Sequence, residues 1–266
     1  MSYLQTPDGA RLRFVDFGAG PDTIVLVHGW KGSHRLWQPV IAGLASEFRV
    51  VAFDNRGMGE SDRPGDRYDF DLLADDLGFV IERLGLAGVT LVGWSMGCSI
   101  SLRYLERGGG GVARLALVAG PIRLESCEGF PWGLAPGKLD GYLDDLTSNW
   151  PRAELEFARG AVGDPGDPFT DFYYRVALQT ELVDSIRIVR EQARLDFRPL
   201  LPRLELPVLA AYGRHDRDYD IGLAEYIAER AADGRRVIFE RSTHPVHHCE
   251  PQRFREVIGD FARGRL

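Results

Sequence analysis

Short apolar runs alternate with amphipathic stretches along most of this chain. Strand-like runs fall at residues 11–17, 24–28, 50–53, 89–92, 115–119, 208–212 and 237–240. Several are almost wholly apolar, as strands covered on both faces should be. Between them, residues 36–47, 70–84, 96–107, 221–232 and 251–263 carry apolar positions at helical spacing. Strand alternating with helix predicts an α/β protein with a mainly parallel central sheet, right-handed crossovers and helices on its faces. The run at 11–17 follows the turn-forming Thr6-Pro7-Asp8-Gly9 and is expected to pair antiparallel at the sheet edge.

The alternation stops at residue 121 and resumes at 207. The intervening stretch has helical patterns around 139–147, 151–160, 169–183 and 184–195, and many aromatic residues. It reads as a helical lid inserted before the last two strands. The expected division is therefore a core of residues 1–120 and 207–266 and a lid of 121–206. The four glycines at 108–111 end a helix before the next strand.

Composition narrows the function. The formal net charge of −7 leaves no basic stripe for phosphates and argues against a nucleic-acid partner. Most of the excess negative charge lies in the helical stretch, which disfavours a strongly anionic substrate. No apolar stretch is long enough to span a membrane, and the first residues lack the pattern of a secretory signal. Cys98, Cys127 and Cys249 have no metal-ligand spacing and fit reduced thiols in a cytoplasmic protein. Neither a cofactor nor a metal is expected, and oligomeric state is open.

The chemistry concentrates at Gly93-Trp94-Ser95-Met96-Gly97, between a strand and a helix. A sharp turn there would expose the Ser95 hydroxyl above the carboxyl ends of the strands, with glycines letting the neighbouring backbone pass closely. A serine nucleophile needs a base. The loop Arg241-Ser242-Thr243-His244-Pro245-Val246-His247-His248, after the last strand, offers His244 first, with His247 and His248 as alternatives. The imidazole needs a carboxylate. Asp216 ends the 208–212 strand region, with Asp218 and Asp220 as competitors better suited to a solvated loop or a helix cap. Oxyanion donors are expected at the backbone N–H of Met96 and of Trp30, in the loop after the 24–28 strand. Trp30, Trp94, Trp132 and His247 are the substrate-pocket candidates.

Taken together these motifs resemble the α/β-hydrolase superfamily. The resemblance rests on His28-Gly29 ending a strand, Asp54-Asn55-Arg56-Gly57-Met58-Gly59-Glu60-Ser61-Asp62 after the next one, G-x-S-x-G, Gly213 followed by Asp216, and His244 seven residues before Pro251. It covers the chain outside the lid. It implies a cofactor-free Ser95–Asp216–His244 triad acting on a small or medium apolar ester, thioester or lactone. It also implies structural roles for His28, Asp54 and Arg56. Two positions depart from the family pattern: Thr243 replaces the usual glycine before the histidine, and the glutamate near the last helix is shifted to Glu250. Perhydrolase (non-haem haloperoxidase) chemistry is the alternative on the same triad. C–C bond hydrolysis and cyanohydrin cleavage are also compatible with it, whereas dehalogenases and epoxide hydrolases carry aspartate where Ser95 stands. A non-catalytic ligand-binding member of the fold is the remaining reading.

Overall fold

The computed structural model describes residues 2–266. Among these, strands β1 (Ser2–Gln5), β2 (Arg11–Phe17), β3 (Thr23–Val27), β4 (Arg49–Phe53), β5 (Val89–Trp94), β6 (Val112–Val118), β7 (Val208–Gly213) and β8 (Gly234–Phe239) form one eight-stranded sheet. Their order is β1-β2-β4-β3-β5-β6-β7-β8. β2 runs antiparallel to both β1 and β4, and the remaining pairs are parallel. The strand expected at the edge therefore lies second, because β1 pairs outside it. β1 is short and largely exposed, so it carries no burial pattern to read.

The helices are α1 (Gln38–Leu44), α2 (Phe70–Arg83), α3 (Met96–Glu106), α4 (Lys138–Asn149), α5 (Arg152–Val162), α6 (Pro168–Ala177), α7 (Leu182–Gln192), α8 (Gly222–Arg230), α9 (Val246–Cys249) and α10 (Pro251–Ala262). Strand alternation divides the sheet's side chains between two cores. Val25, Val27, Leu91, Leu115, Leu117 and Ala210 pack with α2, α3 and α8. Ile24, Leu26, Val92, Trp94, Ala116 and Leu209 pack with α1 and α10 on the other face. Both faces are covered, which explains the nearly continuous apolar runs.

Helices α4 to α7 lie between β6 and β7, and residues 121–206 hold isolated β-bridges but none of the named strands. The helix expected over 169–183 ends at Ala177, and a new one starts at Leu182. α6 begins where Asp167 accepts a hydrogen bond from Phe169 N at 2.8 Å, with Pro168 in its first turn. α5 stops at the left-handed Gly163 (φ 82°). The helix expected over 36–47 is a 3₁₀ turn, His34–Trp37, followed by the shorter α1. None of the described helices is long and apolar enough to cross a membrane.

Candidate active site

Ser95 occupies the junction between β5 and α3 with φ 55° and ψ −122°, a backbone conformation that side chains other than glycine rarely adopt. Ser95 N donates to Val118 O at 2.9 Å, holding the turn against β6. The flanking glycines are steric requirements. A Cβ on Gly93 would lie 2.5 Å from Gly97 O, and one on Gly97 would lie 2.2 Å from Val27 O. One on Gly29 would stand 2.8 Å from the Ser95 Cβ. The serine is thus delivered by backbone packing, at the carboxyl ends of β3 and β5.

The loop after β3 is held from below by His28. Asn55 N donates to His28 Nε2 at 2.9 Å, so the ring proton sits on Nδ1 and points to Gly29 O at 2.8 Å. Burial pushes the His28 pKa down to about 4, which keeps the ring neutral. In a trans peptide the C=O and N–H point opposite ways. Anchoring the Gly29 carbonyl therefore turns the Trp30 N–H away from His28. Neither the Trp30 N–H nor the Met96 N–H has a hydrogen-bond partner among the described residues. Asp54 ties the two neighbouring loops together, accepting from His34 N at 2.6 Å and Glu60 N at 2.8 Å. Arg56 pairs with the buried Asp76 at 2.7 Å, away from the serine.

His244 Nδ1 lies 2.9 Å from Asp216 Oδ2, and both side chains are buried. Burial alone would depress the imidazole pKa. The Asp216 charge and hydrogen bond, with help from Asp218, outweigh it and leave the pKa above the usual histidine value. Asp216 Oδ1 accepts from Asp218 N at 2.9 Å, which fixes the carboxylate. Asp218 pairs with Lys138 at 3.1 Å, and Asp220 accepts from Gly222 N at the start of α8. Asp216, Asp218 and His244 place potential metal-ligand atoms within 4.8 Å of one another. The imidazole–carboxylate bond and the Lys138 pair account for that cluster. Ser95 Oγ has no hydrogen-bond partner among the described residues, but it and His244 open onto the same cavity.

Both positions that depart from the family pattern have structural roles. Glu250 accepts from Ser242 Oγ at 2.7 Å and Arg241 N at 3.1 Å, bracing the turn before His244. Thr243 Oγ1 donates to Val162 O at 2.9 Å, and His244 N to Ala161 O at 3.3 Å, so the histidine loop is bound to the end of α5. The other end of α5 carries Glu154, whose carboxylate lies 2.6 Å from Lys31 Nζ in the loop after β3. Both side chains are buried, and the ammonium also lies 3.9 Å from the Trp30 ring centre and donates to Tyr142 OH at 2.8 Å. Burial pulls the Lys31 pKa down to about 8 against the opposing pull of Glu154. One inserted helix thus touches both the Trp30 loop and the His244 loop. The sequence reading missed this pair; its one visible signal is that Lys31 and Lys138 are the chain's only lysines.

The cavity beside Ser95 measures about 150 Å³. Trp30, Tyr142, Phe157, Tyr173 and Tyr219 supply its aromatic wall, and Gln192 of α7 is part of its polar lining. Of the four pocket candidates only Trp30 is there. Trp94 is fully buried in the core, where its Nε1 donates to His244 O at 3.1 Å and so supports the histidine loop. Trp132 packs on Phe130 and Tyr226. His247 is buried between Trp37 and Trp94, with ring centres 4.5 and 4.7 Å away. Both its ring nitrogens lack partners, and burial drives its pKa down to about 3. It has neither the carboxylate nor the access that a base needs. His248 instead contacts Asp167 at 2.7 Å and stacks on Phe169. A wider groove of about 700 Å³ lies along α2 and residues 108–111, but its arginines 56, 67 and 107 are all paired with aspartates.

The sheet order, the strained serine turn and the imidazole–carboxylate pair describe a hydrolase fold. The α/β-hydrolase fold family matches residues 22–251, and the chain belongs to that family. It is 27% identical to the AB hydrolase superfamily protein YisY of Bacillus subtilis, over 98% of each chain. It is 28% identical to the non-heme chloroperoxidase CPO-A1 of Kitasatospora aureofaciens, over 92% of this chain and 93% of that one. An esterase from Exiguobacterium antarcticum superposes with a TM-score of 0.93 at 26% identity, covering 98% of this chain and 99% of the other.

Proposed function

We propose that this protein is a serine hydrolase that cleaves a small ester, thioester or lactone through an acyl-enzyme on Ser95. The observation that carries the reading is that His244, held by the buried Asp216 carboxylate, opens with the strained Ser95 onto one cavity. His244 takes the serine proton as Ser95 Oγ attacks the carbonyl carbon, and the N–H groups of Trp30 and Met96 receive the oxyanion. His244 returns the proton to the leaving oxygen or sulfur. Water, deprotonated by His244, then attacks the acyl-enzyme and releases the acid. In this reading a small side-chain rotation on substrate binding brings Ser95 Oγ and His244 Nε2 into hydrogen-bond range, as is common when free sites engage substrate. Residues 121–206 act as a lid over a core of 1–120 and 207–266.

The esterase and chloroperoxidase names among its relatives also support a second reading, in which hydrogen peroxide replaces water at the deacylation step. Peroxide attack on the acyl-enzyme would release a peracid, and the peracid would oxidise bromide. Hydrolysis of p-nitrophenyl acetate, followed with and without hydrogen peroxide and bromide, separates the two. Brisk hydrolysis with no peroxide-dependent bromination supports the first reading. Bromination that matches hydrolysis in rate supports the second. Absence of both counts against either.

A further inference from the structure

Setting aside the Ser95 hydroxyl and the free Nε2 of His244, which belong to the reaction, the polar side chains that line the cavity can be accounted for one by one, and three polar atoms are left over. Lys138 and Asp218 are paired with each other, His244 with Asp216, and Tyr142 OH accepts from Lys31. Trp30 Nε1 donates to Ser185 O at 3.0 Å. Gln192 is only 4% exposed, and its Nε2 donates to Ser99 Oγ at 2.9 Å. The Ser99 hydroxyl has Pro121 O as an acceptor at 3.4 Å, which leaves it to accept from the amide, and the Gln192 side chain is assigned its orientation on that network. The Gln192 Oε1 is left without a partner in the cavity wall. The hydroxyls of Tyr173 (2% exposed) and Tyr219 (6% exposed) likewise have none among the described residues. Burial raises both phenol pKa values, so each hydroxyl keeps its proton.

None of the three atoms is sealed off from the cavity, so water can serve each of them until a substrate displaces it, and that displacement costs free energy unless the substrate supplies the lost hydrogen bond. A carboxamide oxygen accepts and cannot donate, so its partner must bring a proton. A phenol can donate or accept. A purely alkyl or aryl group seated here would strand all three. We infer that the part of the substrate held in this cavity is a compact ring-sized apolar group carrying a hydroxyl. The hydroxyl donates to Gln192 Oε1 and accepts from Tyr173 or Tyr219. The size fits, since a cavity of about 150 Å³ holds a benzene ring. The inference deepens the hydrolase reading and rests on it for the identity of the reacting bond. The hydroxyl requirement comes from the cavity wall alone.

Binding tests it apart from catalysis. Toluene and phenol have nearly the same shape and differ in the donor. Titration of the intact protein, followed by tryptophan fluorescence and NMR, should show phenol binding at least tenfold more tightly than toluene, despite phenol's stronger hydration. Gln192→Leu should abolish or reverse that order, and Tyr173→Phe should reduce it. Equal binding, or tighter binding of toluene, by the unmodified protein overturns the inference, whether or not the variants fold. Failure of the hydrolase reading appears separately, as a Ser95 that does not react with a fluorophosphonate, and leaves the order of binding unchanged.

Discussion

The two sides of the cavity are built by different means. On the sheet side, reactivity depends on backbone: a serine at φ 55°, glycines with no room for a Cβ, and a peptide turned by His28. On the helical side, shape depends on side chains: an aromatic wall, a glutamine from α7 and one buried ion pair. Backbone geometry of this kind tolerates little substitution, because a clash with a main-chain carbonyl cannot be relieved by a rotamer change. Side-chain walls can be exchanged one at a time. On the proposed reading, chemistry belongs to the sheet side and selectivity to the helical side.

Substitutions on the sheet side should have the largest effects. Asp216→Asn should lower kcat/KM by roughly 10⁴-fold, since the imidazole loses the carboxylate that fixes its tautomer. The pH profile gives a second readout. His244 must be neutral to act as base, and its pKa is raised, so kcat/KM should fall on acidification with a midpoint above 6.5. In the Asp216→Asn variant burial remains but the raising charge is gone, and the residual activity should lose its acid limb at a lower pH. The stability linkage has the opposite sense to activity. Protonated His244 stabilises the fold below its unfolded pKa, and that contribution disappears as pH rises through the folded one. A variant profile that superimposes on the unmodified one would break the assignment of Asp216 as the partner.

The ion pair that joins the two sides comes next. Glu154→Gln removes the counter-charge of the buried Lys31 ammonium, which must then stay unpaired or give up its proton, and should cost up to about 3–5 kcal/mol in denaturant unfolding near neutral pH. Lys31 loses its proton in the folded protein near pH 8. The difference between the two proteins should therefore shrink as pH rises through that value, because the attraction being compared has gone. A deficit independent of pH would show that Glu154 acts by packing alone. The smallest effects belong to the aromatic residues outside the cavity. Trp132→Phe and His247→Phe should each leave ester kcat/KM within about threefold. A large loss in KM for either would return that residue to the pocket.

The sheet was legible because strands covered on both faces leave continuous apolar runs, and the serine turn because its glycines are spaced by sterics. β1 was not, since an exposed four-residue edge strand has nothing to bury. The histidine loop offered three imidazoles, and only packing separates them. His247 is enclosed by Trp37 and Trp94, whereas His244 reaches Asp216. Trp94 and Trp132 lie outside the lining of the cavity beside Ser95, and the sequence does not separate them from Trp30 because an indole reads the same in a core as against a ligand. Lys31 and Glu154 stand 123 residues apart, and Gln192 and Ser99 stand 93 apart. No local pattern announces pairs that meet only when the insertion docks.

The central claim is that Ser95 is an activated nucleophile, and covalent labelling with a fluorophosphonate probe tests it most directly. The account predicts one label per chain, mapped by mass spectrometry to the peptide containing Ser95, lost in Ser95→Ala and slowed by orders of magnitude in His244→Ala. An intact, folded protein that takes up no label, or takes it up elsewhere, would contradict it.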